Sequence, residues 1–222
     1  MIDYAKGIVS RGSWAAIQKC MLRAAAGYSI TVGFLGGSIT QGSLATKPEN
    51  CYAYRVYRWW QETFPLSEIT FINAGIGGTT SQFGVARVEE DLLTFQPDFV
   101  LTEFSVNDEN NVHFQETYEG LIRRILKSGA ALMLMNNVCY DTGCSAEEVH
   151  LEIARHYCLP SVSMKPTLYA ALLRREMQNR DITPDDLHPN DRGHELVAMV
   201  ICHLLEPLGE GSGRTASRTS DS

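Results

Sequence analysis

The stretch "VGFLGGSITQGS", Val32 to Ser43, decides how the rest of the chain is read. An apolar run of strand length stops at two glycines, followed by a serine, an isoleucine and a threonine. Three uses fit such a loop: a phosphate cradle, a plain turn, or a nucleophile set on the tip of a strand. A phosphate loop needs G-x-x-x-x-G-K-[ST], and Gly36 and Gly42 flank no lysine that would reach a phosphate. The serine elbow G-x-S-x-G also fails, because Thr40 stands where its second glycine belongs. Two readings stay open at this point. Ser38 or Thr40 caps a turn, or Ser38 is a nucleophile beside the first amides of a following helix, which suit a developing anion.

Working outward, the chain alternates. "SITVGFL" (Ser29–Leu35), "EITFINA" (Glu68–Ala74), "DFVLTEF" (Asp98–Phe104) and "AALMLMN" (Ala130–Asn136) are short apolar runs, with a weaker fifth in "LPSVSM" (Leu159–Met164). Helical spacing of apolar residues fills the gaps, over Trp14–Ala26, Ala53–Phe64, Phe83–Phe95, Tyr118–Leu126, Glu147–Tyr157, Pro166–Met177 and Asp191–Leu205. Runs that are apolar on both faces are strands covered on both sides. Strand and helix in alternation predict a three-layer α/β/α sandwich around a roughly five-stranded parallel sheet. One domain is expected over residues 1–208. The Gly/Ser/Thr-rich end, "GEGSGRTASRTSDS" over 209–222, is expected to be a disordered tail. Trp59 and Trp60 are read as core.

The 222 residues carry a net charge of −7, which argues against a nucleic-acid partner, since phosphate neutralisation needs clustered Lys and Arg. The opening "MIDYAKGIVSRGSW" lacks the apolar core of a signal peptide, and no apolar run approaches a membrane span. A cytoplasmic protein without a membrane partner is the default expectation, with secretion open if a leader has been removed. Cys20, Cys51, Cys139, Cys144, Cys158 and Cys202 form no C-x-x-C pair and are read as small buried hydrophobes rather than disulfides or metal ligands.

In open α/β sheets, sites form at the carboxyl ends of the strands. Three more loops compete for that place. "NAGIGGTTS", Asn73 to Ser81, follows the second expected strand; its glycines serve left-handed turns or lend amides to an anion. The dinucleotide fingerprint fails there, with Thr80 at its last position. "EFSVNDENN", Glu103 to Asn111, follows the third; Asn107 either donates to an oxyanion without bringing charge or closes an Asx turn. "TPDDLHPNDRGH", Thr183 to His194, precedes the last helix. Asp185 and His188 are three apart, close enough for the carboxylate to hold the imidazole Nδ1 and leave Nε2 as a base. Equally, these are turn and cap residues, with Asn190 or Asp191 capping the last helix. His194 is read as a surface or packing residue.

Taken in chain order, Ser38 in "GGSIT", Gly78 in "NAGIGGTT", Asn107 in "SVND" and His188 in "DDLHP" resemble the four blocks of the SGNH (GDSL-type) hydrolase superfamily. The resemblance implies a flavodoxin-like SGNH hydrolase fold and a catalytic triad of Ser38, His188 and Asp185, with Asp186 the less fitting carboxylate. It implies an oxyanion hole from the Ser38 amide, the Gly78 amide (Gly77 if the block is shifted by one) and the Asn107 side chain. There are two departures. Gly37 replaces the family's aspartate before the serine, and Ser105 replaces the glycine of G-x-N-D. The first resembles a GGSIT-type subgroup that includes carbohydrate-directed esterases.

The resemblance therefore implies a serine esterase acting on short acyl esters, acetyl foremost, of a carbohydrate or similar polar alcohol, with no metal or organic cofactor. A broad short-chain carboxylesterase, or a lysophospholipase or thioesterase, is the alternative. A non-catalytic carbohydrate-binding domain and a nucleotide-binding flavodoxin-like protein are the readings from other classes. The expected partner is a small-molecule or oligosaccharide ester. Glu109, Asn110, Asn111 and His113 either line the cleft or form a solvated loop.

Overall fold

The computed structural model describes the backbone of residues 2–216 and side chains as far as Glu206. A short strand β1 (Ile8–Ser10) leads into helix α1 (Ala15–Ala25), strand β2 (Ile30–Gly36) and a single helical turn, α2 (Ser38–Gln41). Helix α3 (Tyr52–Thr63), strand β3 (Ile69–Gly75), helix α4 (Ser81–Asp91) and strand β4 (Phe99–Glu103) follow. Next come helix α5 (Val112–Ser128), strand β5 (Ala131–Asn136), helix α6 (Glu147–His156) and strand β6 (Ser161–Ser163). Short turns α7 (Ala170–Leu173) and α8 (Asn179–Ile182) precede the last helix, α9 (Asp191–Ala216).

The sheet order is β1-β6-β5-β4-β2-β3, and every pairing is parallel except β1 with β6. The five expected strands are the five parallel ones. β1 is the addition: a three-residue, half-buried edge strand with an irregular register, too short to carry a periodic signal. The chain leaves β2 for β3 on one side and returns to β4 on the other. The direction of winding therefore reverses between β2 and β4, and a crevice opens there beyond the strand ends. Gly36, the last residue of β2, is level with Gly75 of β3 and Glu103 of β4.

Alternation along each strand divides two cores. Val32, Phe34, Phe99, Leu101, Met133 and Met135 face α1, α3 and α9, where Trp60 is fully buried against Phe99 at a ring distance of 5.3 Å. Leu35, Val100, Leu132 and Leu134 face α4, α5 and α6. The central strands β2, β4 and β5 thus feed both layers, which is why their sequences are largely apolar.

Several expectations change. Pro166–Met177 is no continuous helix: a π-helical turn at Lys165–Tyr169 passes into α7, and the chain reverses with Arg175 at φ +58°. Helix α9 runs past Gly209, where the tail was expected to begin, and 217–222 lie outside the described residues. Of the six cysteines only Cys20 and Cys51 are buried; Cys139 and Cys202 are half-buried, and Cys144 and Cys158 are exposed. Among the described residues no helix is long and apolar enough to cross a membrane.

Candidate active site

The chain turns sharply after Gly36, and Ser38 opens α2 with Gly37 at the N-cap position. Gly37 N–H donates to the Glu103 carbonyl of the neighbouring strand at 3.3 Å, and Ile76 N–H donates to the Gly36 carbonyl at 3.1 Å. The serine is therefore pinned between the ends of three strands. The first amides of a helix have no intrahelical acceptor, so the Ser38 N–H is left for an outside partner. Ser38 is 7% exposed.

His188 lies 150 residues further on, in the segment between α8 and α9. Its Nε2 is 2.8 Å from Ser38 Oγ, and its Nδ1 is 2.7 Å from Asp185 Oδ2. The other carboxylate oxygen, Oδ1, accepts the His188 and Leu187 amides at 2.7 and 3.1 Å and the Thr183 hydroxyl at 3.2 Å. Burial pushes the Asp185 carboxyl up, but the hydrogen bonds from the His188 ring and from the His188 and Leu187 amides outweigh it and hold the group at about 2. An ionised Asp185 fixes the proton on Nδ1 and leaves the Nε2 lone pair facing the serine hydroxyl. Asp186, the alternative carboxylate, instead accepts from Asn179 and Arg180 at φ +67°. Asn190 Oδ1 accepts the Gly193 amide at 3.0 Å, which makes Asn190 the cap of α9. Of the two readings of His194, packing holds: the ring is fully buried. It stacks on Tyr52, sits 3.2 Å from the Ser43 carbonyl, and burial lowers it to about 4.

The glycine loop after β3 borders the same spot. A β-carbon at Gly77 would sit 3.7 Å from Ser38 Cβ, whereas one at Gly78 would meet nothing within 4 Å. Gly78 adopts φ +70°, a conformation that favours glycine, and faces open space. After β4, Asn107 closes a turn onto the Phe104 carbonyl. Its Oδ1 is buried without a hydrogen-bond partner among the described residues, and a β-carbon at Gly37 would lie 2.5 Å from it. The structure thus brings Ser38, Gly77, Asn107, Asp185 and His188 to one sheet edge, with Gly78 beside them.

Four residues behind this edge had no assigned part in the sequence reading. Asp108 Oδ1 accepts the Ser81 amide at 2.9 Å, and Oδ2 lies 3.1 Å from His150 Nε2. One carboxylate therefore ties the Asn107 turn to the start of α4, just after the glycine loop. His150 is fully buried, stacked on Tyr118 with ring centroids 3.7 Å apart, and burial holds its pKa below the ordinary value despite Asp108. Arg87 reaches from α4 to the Ala74 and Gly36 carbonyls at 2.7 and 3.1 Å. Glu103, fully buried at the end of β4, contacts the Ser105 hydroxyl at 2.9 Å and is raised by burial to about 7. Glu103 did leave a signal, as a charged residue inside the apolar run "DFVLTEF".

The loop after Asn107 has its own duties. Asn111 caps α5 through the Phe114 amide, and Asn110 bridges to the Ser145 carbonyl and the Val149 amide. Glu109 and Asn110 also line a cavity with Val106, Cys139, Cys144 and Lys165, next to Asn107.

The geometry permits proton transfer from a serine hydroxyl to an imidazole, with amide donors at hand for an anion, which is the chemistry of acyl transfer. Comparison with known proteins points the same way. A two-domain esterase (CEX) active on acetylated mannans, co-crystallised with mannopentaose, superposes with a TM-score of 0.94 at 56% identity, covering 96% of this chain and 58% of that one. This chain thus spans little more than half the length of that relative. Axe2, an acetylxylan esterase from Geobacillus stearothermophilus, shares the fold at a TM-score of 0.67 and 21% identity over 81% of this chain and 94% of its own. Thioesterase 1/protease 1/lysophospholipase L1 of Escherichia coli (strain K12) is 25% identical over 195 residues, 84% of this chain and 87% of that protein. The model of the GDSL-like lipase/acylhydrolase family matches residues 34–196, and the chain belongs to that family.

Proposed function

We propose that this chain is a serine esterase that removes short acyl groups, acetyl foremost, from a carbohydrate or similar polar alcohol. The observation that carries the reading is the hydrogen-bonded line from Ser38 through His188 to Asp185, at 2.8 and 2.7 Å. Ser38 Oγ attacks the ester carbonyl while His188 Nε2 takes its proton. The Ser38 and Gly78 amides and the Asn107 side chain receive the oxyanion, each such donor being worth about a hundred- to a thousand-fold in rate. The imidazolium, steadied by Asp185, then protonates the leaving alcohol. Water, activated by the same imidazole, attacks the acyl-enzyme and releases the acid and the free serine. The relative active on acetylated mannans supports an acetylated oligosaccharide as substrate.

Acetate release from acetylated manno-oligosaccharides, set beside short and long acyl esters, tests the proposal. Ser38→Ala should abolish release while leaving the unfolding transition in place. Unchanged turnover in that variant would end the reading, and a preference for long acyl chains would favour the lysophospholipase alternative.

A further inference from the structure

We propose that Glu103 is held as a neutral carboxylic acid and acts as a positioning residue, donating a hydrogen bond to the Ser105 hydroxyl and so fixing the turn that carries Asn107. The positioning half rests on the esterase reading above; the protonated state does not.

Counting protons at Ser105 leads there. Its Oγ has three polar neighbours: Glu103 Oε1 at 2.9 Å, the Asn137 carbonyl at 3.0 Å and the Asn137 N–H at 2.7 Å. The Asn137 N–H can only donate. A hydroxyl has one proton and two lone pairs. If Glu103 is ionised, Oε1 and the Asn137 carbonyl compete for that single proton, and one faces an oxygen with nothing between them. If Oε1 carries a proton, it donates to Ser105, and Ser105 donates to the Asn137 carbonyl. The Asn137 N–H then fills the remaining lone pair, and every contact has its proton.

The surroundings of the carboxyl agree. Glu103 is fully buried, and its Oε2 has no hydrogen-bond partner among the described residues, a costly state for half of a charge. The ionisable groups that face it are Asp108 in its own loop, Tyr52 of α3, Tyr118 of α5, and Cys139 and Tyr140 after β5. All are acids, so no ionisable neighbour rewards a carboxylate; the donors that do are the Ser105 amide, 3.0 Å from Oε1, and the Val106 amide, and burial outweighs them. Desolvation raises the group to about 7, with Asp108 adding to the rise and the hydrogen bonds from Ser105 and the Val106 amide opposing it.

The link reaches the chemistry in two steps. Ser105 ties the strand end of β4 to that of β5 through both Asn137 contacts, and its carbonyl accepts the Ala146 amide at 2.7 Å. Asn107 is two residues further on, and the Glu103 carbonyl holds Gly37 N–H beside Ser38. Ionising Glu103 therefore loosens the oxyanion side of the site.

The test is infrared difference spectroscopy between the wild-type chain and Glu103→Gln, with kcat and KM for a short acyl ester measured on both across pH. At about pH 6, where ordinary glutamates are ionised, the wild type should show a carboxylic-acid C=O band that the variant lacks and that fades as pH rises through about 7. Wild-type kcat should fall roughly tenfold relative to the variant above that pH, part of one oxyanion donor's worth, with KM nearly constant. If Glu103→Gln does not fold, the same band in wild type labelled with 13C-glutamate, shifted by the isotope, carries the protonation test. No acid band at about pH 6 overturns the proposal whatever the activity. A wild-type to variant kcat ratio that stays flat with pH overturns the positioning role. An inactive wild type that shows the band overturns the esterase reading instead and bears out the neutral Glu103.

Discussion

Replacing Arg87 by methionine tests what keeps the Ser38 turn in place. The guanidinium is 7% exposed and donates to the Ala74 and Gly36 carbonyls, at the ends of β3 and β2. Hydrogen bonds from a charged donor contribute about 1.5–3 kcal/mol each. The Gly36 carbonyl keeps the Ile76 amide at 3.1 Å, so its loss falls at the low end of that range. Methionine also removes a buried Nε that has no partner among the described residues, which returns about 1 kcal/mol. The pairing with Asp91, whose side chain is 36% exposed, adds at most about 1 kcal/mol. Arg87→Met should therefore cost about 2–4 kcal/mol. Urea unfolding reads this directly: with a slope of roughly 2–3 kcal/mol per molar, the midpoint falls by about 1 M at unchanged slope. Turnover should fall as well, because Ser38 hangs from the strand end that Arg87 grips. A variant that loses less than about 1 kcal/mol and keeps full activity would refute the clamp.

Asp185→Asn should lower kcat by about a thousand- to ten-thousand-fold, since an amide no longer enforces the Nδ1–H tautomer, and a fixed-pH ester assay reads it. Because the Asp185 pKa is depressed from 3.8 to about 2, its contribution to stability is present above 3.8 and lost as pH falls through 2. With the side chain 44% exposed, solvent keeps that contribution below about 1 kcal/mol, so the acid unfolding curves of variant and wild type should nearly coincide. Gly37→Asp, which restores the family's usual residue, should lower kcat by about a hundredfold, the value of one oxyanion donor. The new β-carbon falls 2.5 Å from Asn107 Oδ1 and must displace that side chain. A fully active Gly37→Asp would show that Asn107 has room to spare.

The fold was legible because its signals are local. The central strands β2, β4 and β5 are covered on both faces, so they read as largely apolar runs, and α1, α3, α5 and α9 show their buried stripes directly. What the sequence concealed lacks that periodicity. β1 pairs along one edge over three residues. The 166–177 segment has helical apolar spacing, yet its first turn is π-helical and α7 ends at Leu173, with Arg175 reversing the chain. Exposed Cys144 and Cys158 were misread because cysteine's usual burial is a statistical habit, which an individual turn can override.

The proposed site was legible in a different way, through residue types suited to the proposed chemistry and not through those that hold them. Ser38, Asn107, Asp185 and His188 stand in short blocks because each follows or precedes an element end, and a parallel sheet gathers those ends along one edge. The ties between blocks are long-range pairs with no spacing to read: Asp108 to Ser81 across 27 residues, Arg87 to Gly36 across 51, Ser105 to Asn137 across 32. The two departures from the family pattern belong to this second class. Gly37 leaves the space in which the Asn107 amide lies. Ser105 supplies a hydroxyl that joins Glu103 to Asn137, a link that a glycine there would not make. Both act on the loop that holds Asn107, and neither touches the line from Ser38 to Asp185. The departures therefore bear first on how the oxyanion side is held, and the choice of alcohol is better sought in the cavity beside Asn107, among Glu109, Asn110 and Lys165.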